Sequence, residues 1–295
     1  MPLETIEKPR SGYDAAELQA EAGSADLKRL TKLLRPFVLV TAREREGLCE
    51  KSYELEALNI PYLIVCGERV DHPRVRYRKV GGKWDAINFG SQFIPPETQV
   101  IILNDVDTEI RNLGHAFTHM PDYDLVYCLV KVTSGPQTKF YEILNPIRKR
   151  LNVAASGELM LINRSLFNRL VPMPACNAED TYMMFKALEW GKRVRFCTQT
   201  YVVTERTLDR AEEQEYKTRT TLGIYHALRL AKPPPAIRAF YYSLPLVFPL
   251  LAIAGGDGRA WTMGIERAIV SGMMKRFSTY FPATNNNHNN HNKVI

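Results

Sequence analysis

From Phe37 onward, the chain alternates short apolar runs with stretches of helical period. FVLVT (37–41), YLIVC (62–66), VIIL (100–103) and LVYCLVK (125–131) are unbroken apolar runs of strand length, with a short VRY at 75–77. Between them, Glu46 to Leu58 and Lys83 to Ser91 read as helices. Strands apolar on both faces and separated by helices predict an α/β domain with a mainly parallel sheet covered on both sides. The second half predicts a helix from Lys139 to Arg150, a strand in GELMLINR, and a helix from Glu179 to Trp190 stopped by Gly191. Strand candidates VRFCT and YVV follow, then a charged helix from Arg210 to Leu230. Ser24 is placed to cap a short helix that Pro36 stops.

These patterns divide the chain into a peripheral lead-in (1–35), a catalytic domain (36–206), a helical region (207–283) and an Asn/His-rich tail (284–295) of low complexity. The 295 residues are 45% apolar and 24% charged, which excludes collagen-like, disulfide-stapled and wholly disordered classes. Cysteines 49, 66, 128, 176 and 197 form no C-x-x-C pair and read as reduced core thiols of a cytosolic compartment. The opening MPLETIEKPR has no apolar core of a signal peptide.

Of the net charge of +7, residues 210–295 hold +6, with 11 Lys/Arg against 5 Asp/Glu. These bases flank an uncharged stretch from Ala239 to Gly256, which favours an anionic membrane surface over nucleic acid as partner. At 18 residues, with Pro245 and Pro249 expected to interrupt a helix, the stretch sits at the short end for spanning. An interfacial segment on the cytosolic leaflet is the expectation, with a buried helix or oligomer interface as the alternative.

Asp105 and Asp107, at the end of a buried strand, are carboxylates suited to a divalent cation on a diphosphate. D-x-D alone arises by chance roughly once in a chain this long, and Asp122/Asp124 repeat it. That second pair precedes its strand, at the end of the sheet where ligands are not expected. Gly81-Gly82-Lys83 opens a helix and can bring N–H groups and an ammonium to phosphate, or mark a solvated turn. Gly157 before a strand is a turn or a close approach to a ligand. Glu179-Asp180 complement a helix dipole or supply a general base. His115 and His119 share a helix face but lack a third ligand.

In order and spacing, VLVTAREREGL, GGKWDAINFG, ILNDVD, ASGELMLINR and AEDTYMMFKALEWGKRVRF resemble the family 2 inverting glycosyltransferases of GT-A fold. Gln214 to Arg219 is similar to their Gln-x-x-Arg-Trp signature. The resemblance implies a GT-A sheet, a UDP- or GDP-linked sugar donor, and Mn²⁺ or Mg²⁺ on Asp107 with Asp105. It also implies that Lys83 and Asp105 contact the nucleotide, that Thr41, Ala42 and Glu44 line the nucleoside site, and that Asp180, beside Glu179, is the base. Gly157, Gln214 and Arg219 join the donor site by the same carry-over.

The sequence departs from the family in its first loop, Thr41 to Glu46, and in Cys66-Gly67-Glu68-Arg69, where Glu68 is the candidate acid. Four residues separate Gln214 from Arg219 and the tryptophan is absent, so transfer of a single sugar to a lipid-linked or glycan acceptor is expected rather than processive extension. An inactive membrane-attached binding module and a sugar nucleotidyltransferase are the competing readings. A dinucleotide oxidoreductase lacks its G-x-G-x-x-G.

Overall fold

The computed structural model describes residues 24–79, 81–134, 138–205 and 208–253, with 262, 263, 265–267, 269 and 270. The lead-in before Ser24, the glycine-rich turn at 255–259, the last residues of the apolar stretch and the Asn/His-rich tail lie outside them.

Helix α1 (Ser24–Leu34) leads into β1 (Pro36–Ala42). Then follow α2 (Leu48–Ala57), β2 (Tyr62–Cys66), β3 (Val75–Tyr77), α3 (Lys83–Gly90), β4 (Val100–Asp105), β5 (Glu109–Arg111) and α4 (Leu113–His119). The second half comprises β6 (Leu125–Val132), α5 (Thr138–Arg150), β7 (Leu159–Asn163), α6 (Arg164–Leu170), α7 (Glu179–Glu189), β8 (Val194–Thr204), α8 (Arg210–Leu230) and α9 (Pro235–Ile253).

The eight strands form one sheet of order β3-β2-β1-β4-β7-β6-β8-β5. β3, β2, β1 and β4 are parallel, β7 runs against both its neighbours, β8 is parallel to β6, and β5 closes the edge antiparallel to β8. The architecture is therefore the α/β arrangement, a mainly parallel sheet flanked by helices, that the apolar runs predict.

Alternate residues of each central strand feed two separate cores. Leu39, Val65, Leu103, Tyr127 and Met160 pack on one face with α3, α6 and α7. Val40, Ile64, Ile102, Val126 and Leu161 pack on the other with α1, α2 and α4. A strand buried on both sides must be apolar at every position, which is why these runs lack the alternation of a half-exposed strand.

Two of the differences from the sequence reading concern β8 and α9. VRFCT and YVV are one strand, because Cys128 pairs with Cys197 while the next residue, Leu129, pairs with Tyr201, so Thr198 to Thr200 bulge from β8. The bulge serves α4: Thr200 Oγ1 donates to Asn112 O (2.7 Å) and accepts from Ala116 N (2.8 Å). Pro245 and Pro249 do not end α9, which continues to Ile253; a proline removes one helical donor and strains one turn without obliging the chain to stop.

α8 and α9 return onto the first core. Ala227, Leu228, Ile237 and Tyr241 are buried in it, and Tyr241 Oη accepts a hydrogen bond from Ala154 N at 2.7 Å. No helix among the described residues is long and apolar enough to cross a membrane.

Candidate active site

Parallel strands leave a crevice at their carboxyl ends, and here β1 and β4 end side by side with Thr41 in register with Asp105. β7 enters the same place from the opposite direction. Because it is antiparallel to β4, its first residue pairs with Asn104, which delivers Gly157 and Glu158 to the carboxyl end of β4. The first turns of α3 and α7 complete the walls.

The result is a cavity of about 940 Å³. It brings together Thr41, Ala42, Glu44, Lys83, Asp105, Asp107, Gly157, Glu179, Asp180 and Arg219 from the sequence prediction. Glu68 and Gln214 are not among its lining residues. Glu68 instead accepts a hydrogen bond from Arg45 N at 3.2 Å and so braces the loop after β1; the Gln214 amide nitrogen is buried without a hydrogen-bond partner among the described residues.

Lys83 is the hub. Its ammonium lies 2.6 Å from Asp105 Oδ1 and 3.4 Å from Glu179 Oε1, and donates to Gly157 O at 2.9 Å. Burial alone would lower its pKa, but the attraction of Asp105 and Glu179 outweighs burial and holds it above the ordinary lysine value. Thr41 Oγ1 also reaches Asp105 Oδ1, at 3.3 Å. Desolvation pushes Asp105 up to about 6, against the pull of Lys83.

Asp180 is the second residue of α7, with Oδ1 accepting from Thr181 N at 2.6 Å. Desolvation, reinforced by the neighbouring charge of Glu179, raises it to about 7, while Lys83 pulls it the other way. A carboxyl poised near neutrality in a cavity is suited to take a proton from a hydroxyl.

Glycine is required where these groups converge. A Cβ on Gly157 would stand 2.9 Å from Lys83 Nζ and 3.2 Å from Asp180 Oδ2. Gly223, on α8, performs the same service at a distance, since a Cβ there would stand 2.9 Å from Ala178 Cβ and 3.0 Å from Ala178 N. α8 can therefore lie directly against the entry to α7, and one to two turns earlier it presents Tyr216, Arg219 and Thr220 to the cavity.

The sequence reading missed Glu158, Tyr216 and Thr220. Tyr216 and Thr220 share a helix face with Arg219, so the spacing 216, 219, 220 was a usable signal once Arg219 was singled out. Glu158 carried none, being an ordinary acid before a strand. Cys176 also lines the cavity, but burial raises its thiol to about 11, which keeps it protonated and unreactive.

Residues outside the cavity have structural explanations. Asp124 accepts from Asn163 Nδ2, Lys192 Nζ and Arg193 N at 2.9–3.3 Å, tying the β6 entry to β7 and β8. His119 packs edge-on against Tyr123. All five cysteines are free.

The lining contains seven carboxylates against three basic side chains, an excess that favours a bound cation. Among the described residues, no group of three or more His, Cys, Asp or Glu side chains could hold a metal by itself. Paired carboxylates without a closed cage fit Mg²⁺ or Mn²⁺, hard ions that complete their shell with phosphate oxygens and water.

No family model matches the sequence, and no curated protein matches it. Among solved structures, a glucosyl-3-phosphoglycerate synthase of M. tuberculosis is similar at 14% identity and a TM-score of 0.48, covering 77% of this chain and 88% of its own. The catalytic domain of Drosophila β1,4-galactosyltransferase 7 is similar at 18% identity and a TM-score of 0.33, over 55% of this chain and 64% of its own. A 4-diphosphocytidyl-2C-methyl-D-erythritol synthase from Anaerococcus prevotii is similar at 9% identity and a TM-score of 0.35, over 55% of this chain and 88% of its own.

Proposed function

We propose that this protein is an inverting glycosyltransferase that moves one sugar from a UDP- or GDP-linked donor to a hydroxyl acceptor. The observation that carries the reading is the joint placement of Lys83, Asp105 and Asp180 on one cavity: a cation locked to the carboxyl end of β4, facing a carboxyl of raised pKa at the start of α7.

Thr41 and Ala42 at the end of β1, with Glu44 in the loop beyond, form the wall for the nucleoside. Gly81 and Gly82 bring backbone close to the diphosphate, and Lys83 faces it with positive charge. Asp107 and Asp105 would hold Mg²⁺ or Mn²⁺, which supplies charge neutralisation for the departing diphosphate. Asp180 accepts the proton of the attacking hydroxyl as that oxygen bonds to the anomeric carbon from the side opposite the leaving group, so configuration inverts. Its desolvated setting keeps the carboxylate basic enough for the task, and Glu179 beside it strengthens that effect.

The acceptor we infer is lipid-linked or a membrane-bound glycan. α9 exposes Tyr242, Leu246 and Val247, while Arg229 and Lys232 precede it in the chain and Arg238 lies in its first turn. An exposed apolar helix face with bases near its start suits an anionic cytosolic leaflet and would bring the cavity to a membrane-held acceptor.

The deciding experiment is nucleotide diphosphate release from a panel of UDP- and GDP-sugars, with and without Mn²⁺ or Mg²⁺, in the presence of membrane lipid extract. Release of one nucleotide that depends on the cation and disappears in Asp107→Ala and Asp180→Asn is the expected result. Release that survives both substitutions would refute the assignment of these residues.

A further inference from the structure

A buried ion pair lies beneath the acidic turn, outside the cavity. Lys51 and Glu54, three residues apart on α2, are each 2% exposed, with Lys51 Nζ 2.6 Å from Glu54 Oε2. The other two ammonium protons are also engaged: Lys51 Nζ donates to Asn104 Oδ1 at 2.8 Å and to Thr108 O. The second oxygen of Glu54, Oε1, accepts from Ile110 N.

Each partner of the pair reaches further. Asn104 Nδ2 donates to Thr108 Oγ1 at 2.9 Å and to Glu158 O at 2.6 Å, and Thr108 Oγ1 donates to Asp105 O at 2.9 Å. The residue before the Asp105–Asp107 turn, the residue after it, the strand beyond it and the backbone of Glu158 are thus tied to one point on α2. Neither Lys51 nor Glu54 lines the cavity.

Fold stability does not account for such a pair, because desolvating two charges costs about as much as their attraction returns, and apolar replacements of similar volume are often neutral or better. A network in which every member is satisfied does fix geometry, since moving the turn would leave an ammonium or a carboxylate buried and unpaired. We propose that Lys51 and Glu54 are positioning residues that hold the Asp105–Asp107 turn and the Glu158 backbone in the arrangement required by the cavity, an inference that rests on reading that cavity as the active site.

The test is amide hydrogen exchange, read by mass spectrometry, on the full chain carrying Lys51→Met with Glu54→Gln. This pair removes both charges, keeps the volume and leaves an acceptor for Ile110 N. Exchange in peptides covering 104–111 and 157–160 is expected to quicken roughly tenfold or more while β1 and β2 and the melting temperature change little. Release of nucleotide diphosphate should fall about tenfold in kcat with a smaller change in donor KM.

Unchanged exchange at the turn, or an equal rise across the whole sheet, would overturn the proposal. Exchange reports on the turn whether or not wild type turns over a nucleotide sugar, so a failure of the functional reading shows separately, as absence of release by wild type. Glu54→Gln alone, which removes the charge pairing but keeps the volume and leaves Lys51 Nζ its acceptors on Asn104 and Thr108, decides the question by the same two outcomes if the double variant does not fold.

Discussion

Lys83 Nζ and Asp105 Oδ1 stand 2.6 Å apart, joining the first residue of α3 to the last residue of β4. The contact links the carboxyl end of the sheet to the first turn of α3, and the same ammonium also faces Glu179. Replacing it with a neutral side chain of similar length leaves Asp105 and Glu179 without their shared counter-ion. Lys83→Met is expected to reduce kcat/KM for donor about a hundredfold, the scale of losing one charged contact to a developing phosphate charge. Steady-state kinetics with the donor found active in the release assay measures this.

The pH profile follows from Asp180. On the proposed reading Asp180 is the base, which requires it ionised, and at about 7 its pKa lies far above the ordinary aspartate value. kcat/KM is therefore expected to rise with pH along a limb with its midpoint near 7. Lys83 pulls the Asp180 pKa down and Glu179 pushes it up, so the residual activity of Lys83→Met should show the limb displaced to higher pH, and Glu179→Gln should displace it to lower pH. A limb that ignores both substitutions would show that another group is being titrated.

Stability should move in the opposite sense. Between about pH 4 and pH 7 the unfolded chain has released the Asp180 proton while the folded chain retains it, so folding takes up a proton and stability falls as pH rises through that window. Asp180→Asn removes this dependence. Its melting temperature should match wild type near pH 4 and exceed it at about pH 8, even as activity drops a hundredfold or more. Thermal melts at the two pH values check the sign.

Gly157→Ala separates packing from chemistry. The added methyl would meet the tip of Lys83, which can swing aside, and the Asp180 carboxylate, which is held by Thr181 N. The fold should survive with a melting temperature within a few degrees of wild type, whereas kcat should fall at least about tenfold because base and ammonium are forced apart. Paired melting and kinetic measurements decide it.

The sheet was legible because burial on both faces forces continuous apolar runs, and β1, β2, β4 and β6 are such runs. Strand direction was not, since LMLIN supplies two apolar faces whichever way β7 runs, and only the reversal of β7 places Glu158 beside Asp105. The bulge at Thr198–Thr200 looked like a break between two strands because a polar triplet interrupts the pattern. Cavity residues marked by spacing along one element, such as Gly82-Lys83 or Asp105 and Asp107, could be picked out in one dimension. Lys51 and Glu54 could not, because an i, i+3 Lys–Glu pair on a helix normally marks a solvated face, and here it is buried beneath the turn. Glu68 was assigned to the nucleoside site on its position after β2, but its carboxylate faces Arg45 N.

α9 supplies the remaining prediction. Its inner face is committed to the core through Ile237 and Tyr241, whereas Tyr242 (57% exposed) and Leu246 (80% exposed) follow Arg238 at four-residue intervals on an outward stripe. Four-residue spacing keeps these side chains on one helix face, so a base and two apolar groups would meet a membrane together. The full chain should sediment with vesicles containing anionic lipid and less with neutral ones, and added salt should release it, because the headgroup attraction is screened over about 10 Å at 0.1 M. Tyr242→Glu with Leu246→Glu should weaken vesicle binding at least about tenfold by removing buried apolar area and adding repulsion. Neither residue lines the cavity, so nucleotide diphosphate release with a water-soluble acceptor should be unchanged, while release supported by membrane lipid extract should fall. Equal binding of both proteins to vesicles would place the membrane contact elsewhere on the chain.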